Sequence, residues 1–412
     1  MKRKEVIQRL LGEGTVRKVS VCKKYLKTLK FRNFYSYNHT IVDKFNIFFL
    51  KKKNVFCGYY DLDPERGGKI LAHVIPRNAK NNDAAELGFF DVGDEKYTRV
   101  GGTNAWSWQQ GSRLRWSNRE ENSIFYNTVR GDKYVTVKKN LDSGKESFYN
   151  VPFYDISPNE KYGVSINFDR LQRLRPGYGY SCFEDETKSD NAPMDDGLFL
   201  FNLGSNKKSL IISLKDLAKD VDKNLQFEHY LNHISFSPDS KKIMFFHLWN
   251  EKRGRFDWQN RLFVYNIDSG KSKVLESEAV VSHYTWVDNK RLLITCGTER
   301  GEEYRTYNVE SGAYKIVDYE QLKKDGHPVM IEKDKVFCSD TYPNKKSMQE
   351  LFLFNLLSKK YTQIAKMYSD PLLYGEKRCD LHPKYAKSSN SIFVDSTFSD
   401  HCRKIIRIEL SE

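Results

Sequence analysis

One unit recurs down this chain and restricts its fold more than any other feature, and it is clearest in residues 229–249, HYLNHISFSPDSKKIMFFHLW. An alternating run from His233 through Ile234 and Phe236, the turn residues Ser237-Pro238-Asp239-Ser240, and a second apolar run through Ile243, Phe245 and Phe246 to His247 read as a β-hairpin. Antiparallel pairing in such a hairpin predicts that His233 and His247 share one face. The spacing then returns. His283 and Cys296, His327 and Asp340, His382 and Asp395, Tyr154 and Asn167, and Tyr60 and His73 each stand 13 residues apart across a turn. A second pattern marks an outer strand and its turn: LFLFNLGSN (198–206), LFVYNIDSG (262–270), YRTYNVESG (304–312) and LFLFNLLSK (351–359), with VTVKKNLDSG (135–144) as a weaker copy. Repeats of roughly 40–50 residues made of four short strands are the pattern of a propeller blade. Counting first strands gives an all-β, seven-bladed propeller over residues 53–412, its second blade resting on the less regular RLRWSNREENSIFYN (113–127).

Residues 1–52 form a separate, basic extension with a helical stretch. Residues 1–53 hold 15 Lys/Arg against 3 Asp/Glu, so most of the formal charge of +14 belongs to this segment and the propeller is nearly neutral. Its longest apolar run, Ile47 to Leu50, is too short for a signal peptide or a membrane span. Over 16–31, Val19, Cys22, Leu26 and Leu29 fall on one helical stripe among lysines, a pattern suited to an anionic membrane surface, to packing on the propeller, or to a solvated arm. No nucleic-acid-binding motif accompanies the charge. Seven cysteines without a CxxC read as reduced thiols of a cytoplasmic protein, peripheral on the inner membrane face where the extension binds lipid. The last blade is expected to finish its outer strand in IIRIEL (405–410), with the run FNIFFL (45–50) packing against blade 7 or blade 1, or covering the ring.

Four candidate groups of functional residues stand out. In TNAWSWQQGSRLRW (103–116), Trp106, Trp108, Gln109 and Gln110 suit either a sugar-stacking platform with amide hydrogen bonds or aromatic packing at a blade junction. The run INFDRLQRLRPGYGYSCFEDE (166–186) leads from Asn167 through Arg170, Arg173 and Arg175 to Tyr178 and Tyr180. A long excursion between blade strands is a place for function, and arginine forks with phenols suit an anionic ligand and proton transfer. The other reading pairs these arginines with Glu184, Asp185 and Glu186. Finally, His233, His283, His327 and His382 open blades 4 to 7 at one repeat position, where four imidazoles around the axis would either make a cation site or hydrogen-bond to neighbouring strands. Cys379 and Asp380 lie beside the last of them as a further ligand and an outer carboxylate.

In these motifs, GYYD, NAWSWQQG, the INFDRLQRLRPGYGY run, NHISFSPD, VSHYTW, DGHP with DTYP, and RCDLHP, the chain resembles the seven-bladed propellers related to oligogalacturonate lyases and ulvan lyases, including members linked to surface-polysaccharide clusters. The resemblance spans about residues 55–412. It implies an acidic oligo- or polysaccharide ligand and β-elimination at a uronate, in which a cation or metal neutralises the carboxylate, a His, Tyr or Arg takes the C5 proton, and a Tyr or His protonates the leaving oxygen. On that basis Arg173 or Arg175 meets the carboxylate and Tyr178, Tyr180 or His233 serves as base or acid. Trp106, Trp108, Gln109, Gln110, Asn167 and His247 bind sugar, and the four repeat histidines hold one divalent metal, Mn or Zn. No nucleotide cofactor is expected. Ulvan-type enzymes use histidines of early blades, whereas here blades 2 and 3 have none and His73 is alone in blade 1. The alternative is a noncatalytic propeller scaffold in surface-polysaccharide biosynthesis.

Overall fold

The computed structural model describes residues 18–27, 45–50, 52–59, 62–76, 78–93, 96–250, 258–398 and 402–410. Seven antiparallel sheets follow one another around a central axis as the blades of a propeller. Their inner strands are Val55–Phe56, Arg115–Trp116, Asp155–Ile156, Glu228–Phe236, Val280–Trp286, Val329–Glu332 and Lys384–Ala386. The second strands are apolar on both faces because each blade is covered by a neighbour on either side. In blade 4 every residue from Ile243 to Leu248 is buried, and removal of that surface from water is the main cohesion between sheets.

The repeated outer turn has a local cause. The side chain of Asn140 accepts the backbone N–H groups of Asp142 and Ser143. Asn202, Asn308 and Asn355 each accept two amides in the same way, and Asn266 accepts that of Ser269. An asparagine that bonds the backbone two or three residues on stabilises the reversal, and the turn closes on Gly144, Gly270 or Gly312 with positive φ. The asparagine turn is thus the chemistry of a hairpin reversal, repeated in blades 2 to 6.

Four blade junctions are clipped together at amides in or beside the inner strands. Asp395 accepts from Cys57 N and Gly58 N, Asp340 from His382 N, Asn127 from Phe153 N, and the Tyr154 hydroxyl from His233 N. These amides have no ladder partner, and a buried one left unpaired would destabilise the ring.

Ring closure bears out the expected packing of the 45–50 run on blade 7 and corrects the place of IIRIEL, which is not the outermost strand. Lys404–Leu410 is the third strand of blade 7, and Phe45–Phe49 adds to it as the fourth, in register from Phe45 opposite Leu410 to Phe49 opposite Ile406. The closing strand therefore comes from the segment read as the N-terminal extension, and it covers an edge that would otherwise be open. Farther upstream, residues 18–27 are helical. No described helix is long and apolar enough to cross a membrane.

Candidate functional site

The site begins with irregular backbone. In blade 4 the pairing passes from Asn232 opposite Phe246 to Ser235 opposite Met244, so His233 stands in a bulge, with φ +51°. In blade 5 the register shifts between Val281 and His283, and His382 precedes the inner strand of blade 7 with φ +40°. Bulges re-aim a side chain out of its sheet. His233 and His283, re-aimed in this way, join His327 and His382 in one cavity of about 20 Å³, completed by Tyr59, Tyr284 and Pro328. That volume holds about one water or ion. The ring centroids of His283 and His327 are 3.9 Å apart, those of His327 and His382 4.6 Å, and those of His233 and His283 6.1 Å.

The bulge also corrects the hairpin expectation for His247. Its ladder partner is Leu231, and its Nε2 lies 2.9 Å from His229 Nδ1, in a buried group with Asp222 and Arg261 inside blade 4. His247 is therefore part of the blade's interior and does not face a sugar.

Carboxylates orient two of the four site histidines. His283 Nδ1 is 3.2 Å from Asp325, which also accepts from Ser282, Thr295 and the Gly326 amide. His327 Nδ1 is bonded to Asp340 at 2.8 Å. With each Nδ1 so engaged, Nε2 is the nitrogen turned away from the carboxylate, that of His283 lying 3.5 Å from the Tyr342 hydroxyl, the arrangement by which proteins set imidazole ligands. His233 Nε2 and His382 Nδ1 are buried with no hydrogen-bond partner. Burial, reinforced by neighbouring cations, holds His233 and His382 well below the ordinary histidine range, and burial also lowers His283. Burial opposes charge on His327 as well, but Asp340 outweighs it and lifts the ring to about 9. Among the described residues no three His, Cys, Asp or Glu side chains converge as a ready metal-ligand set. The Cys379 thiol is buried, pushed up to about 12, and does not line the cavity.

Next to the histidines a funnel of about 480 Å³ opens between Arg175, Tyr178, Trp258, Asp325, Tyr342, Glu376 and Arg378. The Tyr178 ring is 5.9 Å from His233, and the Tyr342 ring is 5.5 Å from His327. The excursion that carries Arg175 and Tyr178 starts with a helix, Phe168–Leu174, capped by the side chain of Asn167. It is pinned by Arg170, whose guanidinium reaches the carbonyls of His229, Thr187, Asp190 and Asn191. Gly179 lies against the backbone of Phe168 and Gln172, where a Cβ would stand 2.0 Å from a carbonyl oxygen. Gly177, at φ +97°, lies against Glu376, where a Cβ would stand 2.8 Å from the Glu376 Cβ. The R-P-G-Y-G-Y run is therefore a device for folding Tyr178 back toward the axis.

Within the funnel the charges are unevenly shared. The Arg175 guanidinium sits between the rings of Tyr178 and Trp258, 4.7 and 4.5 Å from their centroids, and its buried Nη1 has no hydrogen-bond partner. Arg378 donates to the Tyr178 hydroxyl at 2.6 Å and to Asp380 at 2.8 Å. Burial resists ionisation of Tyr178, yet Arg378 and Arg175 outweigh it and bring the phenol below its ordinary value. Tyr342 goes the other way. Burial, then the Asp380 carboxylate, push it well above the tyrosine range. Two titratable groups driven apart in one site are suited to opposite proton-transfer roles.

The remaining sequence candidates lie elsewhere. Arg173 is bound to Asp185 at 2.9 Å and Glu228 at 2.5 Å, the pairing reading for this residue. Tyr180 is buried, stacked on Phe168 at 4.2 Å, and accepts from Asn127. Asn167 is a helix cap bonded to Asp185 and Asp196. Trp106 and Trp108 are buried edge to face, with their N–H groups on Asp83 and Asn81, which is the packing alternative and not a sugar platform. Gln109 holds the carbonyls of Glu376 and Arg378, and Gln110 bonds the Tyr154 hydroxyl, so both brace the site from behind. Sequence reasoning missed the roles of Arg378, Tyr342, Trp258 and Asp325. The first two stand inside the quoted RCDLHP and DTYP motifs, and Asp325 opens DGHP.

No family model matches the chain, and no curated protein matches its sequence. Among solved structures the chain is similar to an oligogalacturonate lyase in complex with manganese, at TM-score 0.64 and 13% identity, over 91% of this chain and 96% of the lyase. A second oligogalacturonate lyase, from Vibrio parahaemolyticus, gives TM-score 0.58 and 13% identity over 90% and 98%. The tricorn protease gives TM-score 0.52 at 10% identity, with 33% of its own length covered. At these identities the likeness shows the fold alone.

Proposed function

We propose that the funnel binds the uronate unit of an acidic oligo- or polysaccharide and cleaves the chain there by β-elimination. The observation that carries this reading is the pairing of a buried, unpartnered Arg175 Nη1 with a Tyr178 phenol held toward its ionised form by two guanidinium groups. A carboxylate is the natural partner for the open edge of a stacked arginine. With the acid fixed there, the Tyr178 phenolate takes the C5 proton, the C5–H electron pair becomes the C4–C5 double bond, and the C4–O bond breaks. The departing oxygen receives a proton from Tyr342, which its surroundings keep protonated. Trp258 supplies an apolar wall for the sugar ring.

The four histidines fit a divalent transition metal by donor type. His283 and His327 are oriented by carboxylates, and His233 Nε2 and His382 Nδ1 are buried without partners. When bound, such an ion supplies positive charge that neutralises a carboxylate and acidifies the adjacent C–H.

The test is to incubate the full chain with several uronate polymers, with and without added Mn²⁺, and follow the unsaturated product by its ultraviolet absorbance. Product formed by the wild type and lost in Tyr178→Phe supports the lyase. Binding without product supports the noncatalytic scaffold, and neither binding nor product contradicts both.

A further inference from the structure

The helix at residues 18–27 leaves an apolar stripe uncovered. Val19 and Leu26 are 46% and 66% exposed and Cys22 is exposed between them, positions i, i+3 and i+7 of one helical face. Val21, Lys24 and Tyr25 are half-buried instead, so the stripe is the more exposed side of the helix. Exposed Lys18, Lys23 and Lys27 flank the stripe. Over residues 1–44 the sequence has 12 Lys/Arg against 3 Asp/Glu. Exposed apolar residues among cations match one kind of surface, a bilayer bearing anionic headgroups, where the apolar face enters the lipid boundary while lysines meet the phosphates.

The ring closure shows where this segment joins the propeller. Phe45 pairs with Leu410, and Leu410 is bonded to Asn390, in the turn at the far end of the blade 7 inner strand from His382. The chain therefore enters the propeller on the face opposite the histidine cavity.

We infer that the helix at 18–27 docks this protein on anionic lipid bilayers, independently of what the funnel binds. The experiment is co-sedimentation of the full chain with phosphatidylcholine vesicles, plain or mixed with phosphatidylserine, over a salt series. The expected result is binding to the mixed vesicles that weakens as salt is added, because exposed charges are screened over about 10 Å at 0.1 M. Lys18→Gln/Lys23→Gln/Lys27→Gln should lower the partition about a hundredfold, given the strength of each lysine–headgroup attraction. Leu26→Asp should lower it with every lysine kept, and neither variant should move the propeller's thermal midpoint. Equal binding to plain and mixed vesicles, no binding, or unchanged binding by both variants overturns the inference. So does equally tight retention on duplex DNA of wild type and Leu26→Asp, which would mark a general polyanion site that does not use the apolar stripe.

Discussion

Blades 4 to 7 bring His233, His283, His327 and His382 to the axis, whereas blades 1 to 3 set Tyr59, Arg113 and Tyr154 against them. The Tyr59 ring stacks on His382 at 4.8 Å, the Tyr154 hydroxyl takes the His233 amide, and the Arg113 guanidinium lies over the Tyr154 ring at 4.3 Å. The two arcs share a strand pattern and differ in what they bring to the axis. Tyr154 is hydrogen-bonded to Gln110, Asn232 and His233, and His73 of blade 1 is stacked on Phe56 and bonded to Ser112. In the other arc two imidazole nitrogens have no partner and two rings are aimed by carboxylates. One half of the ring thus presents tyrosines to the axis and the other a rim of imidazoles. The blade 3 excursion carries Arg175 and Tyr178 across to that rim. A histidine by itself is not the signal for a site. His73 and His247 are as buried as the four at the axis and are consumed by their neighbours.

The sharpest way to break this comparison is to remove one phenol from each environment. Tyr178→Phe should reduce turnover of uronate oligomers by about 10²–10⁴-fold, the usual contribution of a positioned base. Tyr180→Phe should leave the rate unchanged and lower stability by about 1 kcal/mol, one buried hydrogen bond, in denaturant unfolding. Equal effects of the two on rate would remove the distinction.

The interblade clips give the next largest difference. Asp340 bonds the His327 ring and the amides of His327 and His382, whereas Asn127 performs the neutral version between blades 2 and 3. Asp340→Ala should lower stability by about 3–5 kcal/mol because it strands a buried, charged imidazole. Asn127→Ala should cost about 1–3 kcal/mol. Urea midpoints of the two variants check both values.

The same pair predicts a pH dependence in protein stripped of metal. His327 is raised from its ordinary 6.5 to about 9, so the folded state holds that proton more tightly than the unfolded chain does. Its contribution is complete below 6.5 and is lost as pH climbs through 9. At ~1.4 kcal/mol for each pH unit the loss is on the order of 3 kcal/mol. Unfolding measured between pH 6 and pH 10 should show it, and His327→Gln should flatten that slope.

The smallest expected effect separates two neighbouring arginines. Arg175→Gln should weaken uronate binding by about 10–100-fold, the range of a charge-assisted hydrogen bond, with little change in stability. Arg173→Gln should do the reverse, since its partners Asp185 and Glu228 are the walls of the excursion. Binding isotherms and melting curves of the two variants distinguish these outcomes.

The fold was legible in the sequence because its causes are local: alternation, a turn asparagine, and a glycine of positive φ recur in successive blades. The convergence of four histidines followed from the same repeat, and the 13-residue offset from His327 to Asp340 is a hydrogen bond in the structure. What could not be read has non-local causes. A bulge of one residue decided that His233 faces the axis while His247 faces its own blade. Arg173 and Arg175 are two residues apart, and only the positions of Asp185, Glu228 and Trp258 show which is engaged and which is open. Tyr178 and Arg378 are 200 residues apart in sequence and 2.6 Å apart in space. The packing of the 45–50 run on blade 7 was expected from its apolar sequence, whereas the place of Lys404–Leu410 as the third strand inside it was not.

The central claim is that the histidine cavity and the Arg175–Tyr178 funnel form one site for an acidic sugar. Calorimetric titration of uronate oligomers into the wild type, Arg175→Gln and a His283→Ala/His327→Ala double variant, each with and without Mn²⁺, tests it most directly. The account predicts wild-type binding that strengthens with Mn²⁺, weakens in Arg175→Gln, and loses its response to Mn²⁺ in the double variant. Uronate binding of equal strength in all three proteins, or none in the wild type, would contradict it.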